Sequence, residues 1–525
     1  MRRKIIMVLG ICLGAGTIAS AQSNLDDLIR YSGIQYQGTA RSAGAGNAFG
    51  AVGADFGAIG INPAGLGLYQ RSEFTATIGF DDATTKGNYL GNSATNTSVP
   101  NFNIGDLGIV IANNKAERGK DVSSGWLAVN WGIGFTRTNN FYSSTLIEGT
   151  NTNNSILAYY KEDANYQQAN HWNLDPGSYG GLAYGAYLID PFHNPNNPGN
   201  PNDSSIYMDR TRFDNKINVY QKDIITTSGA TNNISLSVAG NYLGKLYLGL
   251  TINVPTVNFT SDETFTEYNN NPSSAKDSQY ISSSLNKTLT TTGVGINAAL
   301  GAIYKFGDIF RLGLSVQVPT LYSLTDNFAT SLEGITAQTL GERGNGDVTS
   351  SSSSNPDGFQ YNIVTPARAT LSGALFLGKS GFISADYEYA DYSTAMVNNS
   401  NGNDYSDFNQ TVQKALQGVN TLRVGAEFRI QAFSIRAGYD YITSPYKSGI
   451  ADAGYGDTYN IISFGVGFRA KNMGLDLTYQ LLTNNTTFTP YILSDPADVA
   501  QYGYAPSADV TTTRGNLMLT YSTRF

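Results

Sequence analysis

Residues 422–430 read Leu422-Arg423-Val424-Gly425-Ala426-Glu427-Phe428-Arg429-Ile430. Every second residue is apolar, and those between are charged or glycine. Alternation at 180° per residue gives an extended strand with one apolar and one polar face. The neighbouring segments repeat it. Phe433, Ile435, Ala437, Tyr439 and Tyr441 stand against Ser434, Arg436, Gly438 and Asp440, and Ile462, Phe464, Val466 and Phe468 against Ser463, Gly465, Gly467 and Arg469. Leu475, Leu477, Tyr479 and Leu481 alternate with Asp476, Thr478 and Gln480. In a soluble sandwich the apolar face would form the core. In a membrane barrel the assignment inverts, with lipid outside and a polar lumen inside.

Connection lengths and composition favour the barrel. Gly307-Asp308-Ile309, Gly378-Lys379-Ser380 and Ala470-Lys471-Asn472 are tight turns, and between them lie long connections rich in Asn, Ser, Asp and Gly. Strict alternation of short and long connections is expected of a barrel with periplasmic turns and extracellular loops. Only 14% of the 525 residues are charged, against about 25% in soluble proteins. Mean hydropathy is −0.23, and beyond the N-terminus no apolar run reaches the roughly 18 residues of a membrane helix. The reading is an all-β, transmembrane antiparallel β-barrel of about fourteen strands, at 72–86, 101–112, 124–138, 220–242, 245–259, 289–306, 310–326, 362–378, 381–395, 420–431, 433–445, 458–470, 472–486 and 510–525.

Several local features stand out. The connection 139–219 is unusually long and contains a candidate helix near Ser155–Asn165, aromatics from Tyr179 to Tyr187, and the Pro/Asn-rich run Pro191–Pro201. Pro255 and Pro319 close two nearly identical strand segments, where a residue that cannot donate to the ladder must loosen pairing. Apolar parity changes between Ile104 and Leu107, which places a bulge at Gly105 and Asp106 and a candidate opening in the wall. The chain ends Leu517, Leu519, Tyr521, Thr523, Phe525 on one face. An aromatic C-terminus of this kind resembles the signal read by the barrel assembly machinery.

Residues 1–21 read as a signal peptide. Arg2, Arg3 and Lys4 precede an apolar stretch that ends at Ala19-Ser20-Ala21. Its removal leaves 504 residues with a net charge of −11, and it takes away Cys12, the sole cysteine. No disulfide, thiolate metal site or cysteine nucleophile is then available, and an acidic chain without a basic patch is no partner for nucleic acid. The compartment implied is the outer membrane of a Gram-negative bacterium, with lipid and lipopolysaccharide around the wall and the N-terminus on the periplasmic side. Residues 71–525 form the barrel. Residues 22–70 do not alternate; small residues and glycines are interleaved there with Leu28, Ile29, Phe49, Val52, Phe56, Ile59 and Ile61. A solvated leader has no need of those apolar residues, so 22–70 is expected to fold as a plug, or hatch, inside the lumen.

The run from Gly38 to Leu66 resembles the N-terminal hatch of the FadL/TodX family of outer-membrane transporters. That pattern is a glycine-rich run with an Arg near its start, a later Asp, then N-P-A-G-L. Here it falls on Arg41, Gly44, Gly46, Phe49, Asp55, Asn62, Pro63, Ala64, Gly65 and Leu66. The likeness extends in outline to Pro366-Ala367-Arg368, Asp386-Tyr387-Glu388-Tyr389 and Asn420 to Glu427. It implies fourteen strands and passive uptake of hydrophobic small molecules, such as fatty acids or aromatics. Capture by outer loops, binding in the lumen, movement of the hatch and lateral exit through the wall would follow in turn. The long loops depart from the family pattern.

An amphiphile would need a dry groove for its tail and a cation for its head. Arg423, Arg429, Arg436 and Arg469 are the lumen-side candidates, and Glu427, Asp440, Asp386, Glu388 and Asp476 are available to pair with them. The competing reading is that these charges only satisfy one another. Neither a catalytic constellation nor a metal or cofactor site is expected: the two histidines, His171 and His193, both lie in the long connection, and no G-x-S-x-G occurs. Two rival functions stay open. His171 beside Trp172, with Tyr179, Tyr184 and Tyr187, would suit a haem receptor; the hatch pattern also resembles the shuttle barrel of type IX secretion.

Overall fold

The computed structural model describes residues 25–525 apart from 36, 96–97, 115–124, 193–204, 210–216, 271–279, 337–348, 355–357, 399–403 and 448–457. The signal peptide, Cys12, His193 and most of Pro191–Pro201 lie outside the described residues. Fourteen antiparallel wall strands are present among those described. They are β1 (Glu73–Tyr89), β2 (Val99–Ile111), β3 (Trp126–Asn140, continued by Ser143–Asn151), β4 (Val219–Tyr242), β5 (Leu246–Asn269), β6 (Tyr280–Phe306) and β7 (Phe310–Gln317 and Leu321–Thr336). There follow β8 (Phe359–Val364 and Arg368–Phe376), β9 (Gly381–Asp391), β10 (Gly418–Ile430), β11 (Phe433–Thr443), β12 (Thr458–Arg469), β13 (Met473–Phe488) and β14 (Ala508–Arg524). Pairing of β1 with β14, from Glu73↔Arg524 to Asn88↔Asp509, closes the sheet.

Closure resolves the two-faced strands. Leu422 is 44% and Phe464 60% exposed on the outside, while Arg423 at 5% and Glu427 at 2% point into the lumen. An apolar exterior over a charged interior is the inverse of a soluble sandwich and suits a hydrocarbon surround. Leu517, Leu519, Tyr521 and Phe525 share the outer surface.

Three sequence expectations change in the structure. Strict alternation of connections fails at the first two hairpins: β1 turns at Leu90-Gly91, both at positive φ, into the short strand Asn92–Thr95 at the loop end, whereas 112–125 at the turn end is long. The connection expected over 139–219 begins only after Asn151, because β3 resumes at Ser143 and pairs with β4 through Asn151↔Val219. Likewise β5 runs to Asn269 and β6 starts at Tyr280. Above the apolar band these strands carry Thr, Ser, Asn and Glu on both faces, so the hydrophobic period vanishes while backbone pairing continues.

Proline and glycine mark interruptions in the wall. The β5–β6 ladder skips from Thr256↔Val294 to Asn253↔Asn297 beside Pro255. Both β7 and β8 break at the same level, next to Pro319 and Pro366. Between β1 and β2 the register passes from Thr77↔Asp106 to Ile78↔Ile104, so Gly105 is the bulged residue. The pairing of β2 with β3 covers only Asp106–Ile111, leaving the wall unpaired between residues 99–105 and the upper part of β3.

Candidate functional site

Residues 25–70 fold against the inner face of the wall. They include helix α1 (Leu25–Ser32), the short helix α2 (Ala40–Gly44) and two 3₁₀ turns at Gly57–Gly60 and Pro63–Leu68. The first described residues lie high in the lumen rather than at the turn end. Tyr446, beyond the loop end of β11, donates to Asp26; Leu28, Ile29 and Tyr31 are buried with Phe141, Phe259, Tyr361 and Tyr392. An amphipathic helix finds such apolar partners only inside the barrel.

Close approach of backbones explains the small residues of the hatch. A Cβ on Gly425 would fall 2.0 Å from the Ala45 carbonyl oxygen, and one on Gly438 2.1 Å from the Gly46 nitrogen. On the opposite wall, Gly249 and Gly301 make the same kind of room for Pro63 and Asn62. The polar hatch residues tie this packing together. Thr39 caps α2 and donates to Asp55 at 2.6 Å, which also accepts the Gly57 N–H at 3.1 Å. Asn62 accepts from the Ala64 N–H at 3.0 Å and donates to the Gly50 carbonyl at 2.7 Å, with Pro63 opening the turn that continues through Ala64 and Gly65. Phe49 packs edge-on against Phe382 of β9, with the Arg41 guanidinium 5.2 Å from its centroid. Gly44 rests on Gly465 of β12.

The lumen arginines are held by carboxylates. Glu427 takes Arg436 at 2.6 Å, Arg429 at 2.6 Å and Arg41 of the hatch at 3.3 Å; Arg41 also lies 3.6 Å from Asp55. Asp476 takes Arg436 at 2.8 Å and Arg469 at 2.6 Å. Glu388 is shared by Arg368 at 2.7 Å and Arg423 at 3.2 Å. Arg429, Arg436 and Arg469 therefore sit in a network beside the hatch, below the main cavity. Arg423 lines a smaller chamber of about 50 Å³ beneath the main cavity.

The main cavity, of about 860 Å³, occupies the upper lumen. Helix α1 and residues 33–35 form its floor. Its sides combine the apolar Phe259, Leu289, Phe328 and Val510 with Arg30, Lys287, Arg368 and Arg514. Arg30 pairs with Asp27, and Lys287 with Glu263. Sequence reasoning missed these cations. Arg514 was findable, because extending the alternation back from Leu517 places it on the inner face with Asn516.

A folded cap makes the roof. Helices α3 (Ile156–Tyr166) and α4 (Tyr179–Gly185) bury Ile156, Leu157, Tyr160 and Leu182 with Val219, Phe265, Tyr280 and Leu332 of the upper strands. Glu267 of β5 anchors this cap at the α3 N-terminus, where it accepts from the Ser155 hydroxyl and from the Ile156 N–H at 3.1 Å. A carboxylate there meets the exposed N–H groups and the positive end of the helix dipole. Lys161 donates to Asp498 at 2.6 Å; burial lowers the ammonium pKa, but this bond and the nearby Asp209 more than offset it and hold it raised. Asp163, in the cavity roof, has its carboxyl pushed up by burial although the Gly180 N–H opposes the shift. His171 lies against Trp172, with centroids 4.3 Å apart and the rings tilted by 42°, and neither lines the cavity.

No family model and no curated protein matches the chain. Solved structures do. A FadL homologue from Pseudomonas aeruginosa aligns over 94% of this chain and 100% of its own, at TM-score 0.51 and 13% identity. The TodX deltaS2S3 mutant monoaromatic hydrocarbon channel aligns over 93% and 99%, at TM-score 0.50 and 12% identity. At such identities the likeness concerns the fold, and the chain has the closed fourteen-stranded barrel architecture of FadL/TodX-type channels.

Proposed function

We propose that this protein is an outer-membrane channel for passive entry of hydrophobic compounds, without catalytic activity. The observation that carries this is the upper-lumen cavity, floored by a chain segment that lies across the lumen and partly roofed by a loop cap. The cavity sits at and above the upper edge of the band of exposed apolar wall residues, where an outer-leaflet or extracellular hydrophobe would arrive. A ligand entering beneath the cap exchanges water for the apolar sides, at about 25 cal/mol per Å² of apolar surface removed from water.

The exit we infer is lateral. Where β2 and β3 are unpaired, residues of the hatch take the place of the missing partner: the Gln35 N–H donates to the Thr138 carbonyl at 2.8 Å and the Gln37 N–H to that of Arg137 at 3.3 Å. Displacing Gln35 and Gln37 would open the cavity toward the bilayer. The position of His171 away from the cavity lining gives haem capture no support. The test is entry of a labelled hydrophobe into the outer leaflet of vesicles holding the protein, with and without Gln35→Pro and Gln37→Pro. Loss of the two N–H donors should speed release to the bilayer. Release unchanged from intact protein would refute the route.

A further inference from the structure

The fit of the hatch explains the glycines on the inner face of β10 and β11, but not the alanines on the outer face. Ala426 and Ala437 pair across these strands, one residue along from Gly425 and Gly438, and so face lipid. Ile383 of β9 and Phe464 of β12 continue the same row on either side. Phe428 and Ile435 lie next to it toward the turns. Two methyl groups ringed by large side chains leave a groove of about 690 Å³ in the outside of the wall. Ala437 stands four residues beyond Phe433, where β11 leaves its tight turn. At about 3.4 Å per residue and a tilt of about 40°, that is roughly 10 Å into a hydrocarbon band about 25 Å tall. The groove therefore opens into the leaflet on the side of the tight turns, which in an outer-membrane barrel is the periplasmic, phospholipid one.

Depth and shape select a hydrocarbon chain as occupant. A second convex barrel would rest on the ridges made by Ile383, Phe428, Ile435 and Phe464 and leave the depression empty, whereas a flexible chain can fill it. The charge at the lower end selects the head. Leu377 and Ile383 both line the groove, and the turn between them carries Lys379, which is exposed. The Arg429 N–H donates to the carbonyl of Ser380 in that turn at 2.7 Å, and the Arg429 side chain is 44% exposed although one face meets Glu427. Residues 377–383, 426–437 and 464–477 together carry Lys379, Arg429, Arg436, Arg469 and Lys471 against Glu427 and Asp476. Five bases to two acids mark this patch as cationic in a chain whose net charge is −8. Basic residues at head-group level attract anionic lipid.

We propose that the outer face of β9–β13 is a binding site for one anionic phospholipid of the turn-side leaflet, with an acyl chain over Ala426 and Ala437 and the phosphate at Lys379 and Arg429. The site lies on the lipid side of the wall and is independent of what the lumen carries. For the test, the full mature chain in nonionic detergent is titrated with dioleoyl phosphatidylglycerol or dioleoyl phosphatidylethanolamine, which share their chains, and bound lipid is counted by native mass spectrometry. One phosphatidylglycerol should be held more tightly than phosphatidylethanolamine by about fivefold or more, and Lys379→Gln should remove about fivefold of that preference. Ala426→Leu/Ala437→Leu, which fills the groove, should abolish the bound copy of either lipid while keeping the mobility of a folded barrel on unheated gels. Ala369→Leu, at an outward position of β8 away from the groove, should leave it in place. Equal retention of the two lipids by the intact protein would overturn the proposal. So would lipid retained in full by the filled groove, or lost equally in the Ala369 control. A dimer mass that the filled groove abolishes would assign the groove to a second copy of the chain and overturn it as well.

Discussion

The fit between hatch and wall depends on two glycines, and replacing them is a quantitative test of the hatch. In Gly425→Ala/Gly438→Ala, each new methyl would lie 2.0–2.1 Å from main-chain atoms of Ala45 and Gly46, against ordinary contact at 3.4–4 Å. Backbone cannot rotate aside as a side chain can, so the hatch must withdraw by roughly 1 Å or more. Overpacking of this kind costs about 1–3 kcal/mol per site. Withdrawal also strains the bonds that seat α2, from the Ala40 N–H to Thr520 at 2.7 Å and from Thr478 to the Ala40 carbonyl. The assay is conductance in planar bilayers. Intact protein should be closed or nearly so, and the double variant should show frequent openings while keeping the mobility of a folded barrel on unheated gels. Gly373→Ala is the control, because its Cβ would meet only Phe310 at 3.9 Å. Conductance unchanged in the double variant, or equally raised in the control, would refute the argument that backbone contact seats the hatch.

Other outcomes follow from the same geometry. Glu427→Gln removes the anion shared by Arg41, Arg429 and Arg436; because Arg436 keeps Asp476 and Arg41 keeps Asp55, the cost should fall below the about 3–5 kcal/mol of a buried pair left with no partner, read as a lower denaturant midpoint for unfolding. Glu267→Gln weakens the cap where α3 begins, by about 1–2 kcal/mol for a charge-assisted bond at a helix N-terminus; proteolytic cleavage within 152–218 should accelerate with the barrel intact. Phe464→Arg puts a charge on the outer face of β12, at 60% exposure. In water that would be nearly neutral, whereas in hydrocarbon it should cost about 2–4 kcal/mol, measured by folding into lipid vesicles.

What was legible in the sequence, and what was not, divides along physical lines. Strands at membrane depth announce themselves, because lipid outside and polar lumen inside force strict alternation, as in Leu422–Ile430. The parity break near Gly105 was equally readable, since a single inserted residue flips every side chain after it. Above the bilayer the outer face meets water and the buried inner face mixes apolar Ile147 and Phe265 with polar Asn151 and Glu267, so Ser143–Asn151 and Thr260–Asn269 carry no clear hydrophobic period and these strand extensions are not legible in the sequence. Charge pairing was the harder problem. Arg436 and Arg423 stand on inward positions, but their partners come from neighbouring strands, directly across as Glu427↔Arg436 or diagonally as Arg423 to Glu388, which a single sequence does not supply. Arg41 shows the same limit: its pairing with Glu427 joins residues nearly four hundred positions apart, and only the closed barrel brings them together.

The central claim is that the lumen carries hydrophobic compounds across the outer membrane, and uptake tests it most directly. Cells making the intact chain, cells making Leu289→Arg, which sets a charge on an apolar side of the cavity, and cells lacking the protein would be given a radiolabelled hydrophobe at limiting concentration. The account predicts uptake by the intact chain well above the cells without it, and a fall toward that background for Leu289→Arg. Equal uptake with and without the protein would contradict it.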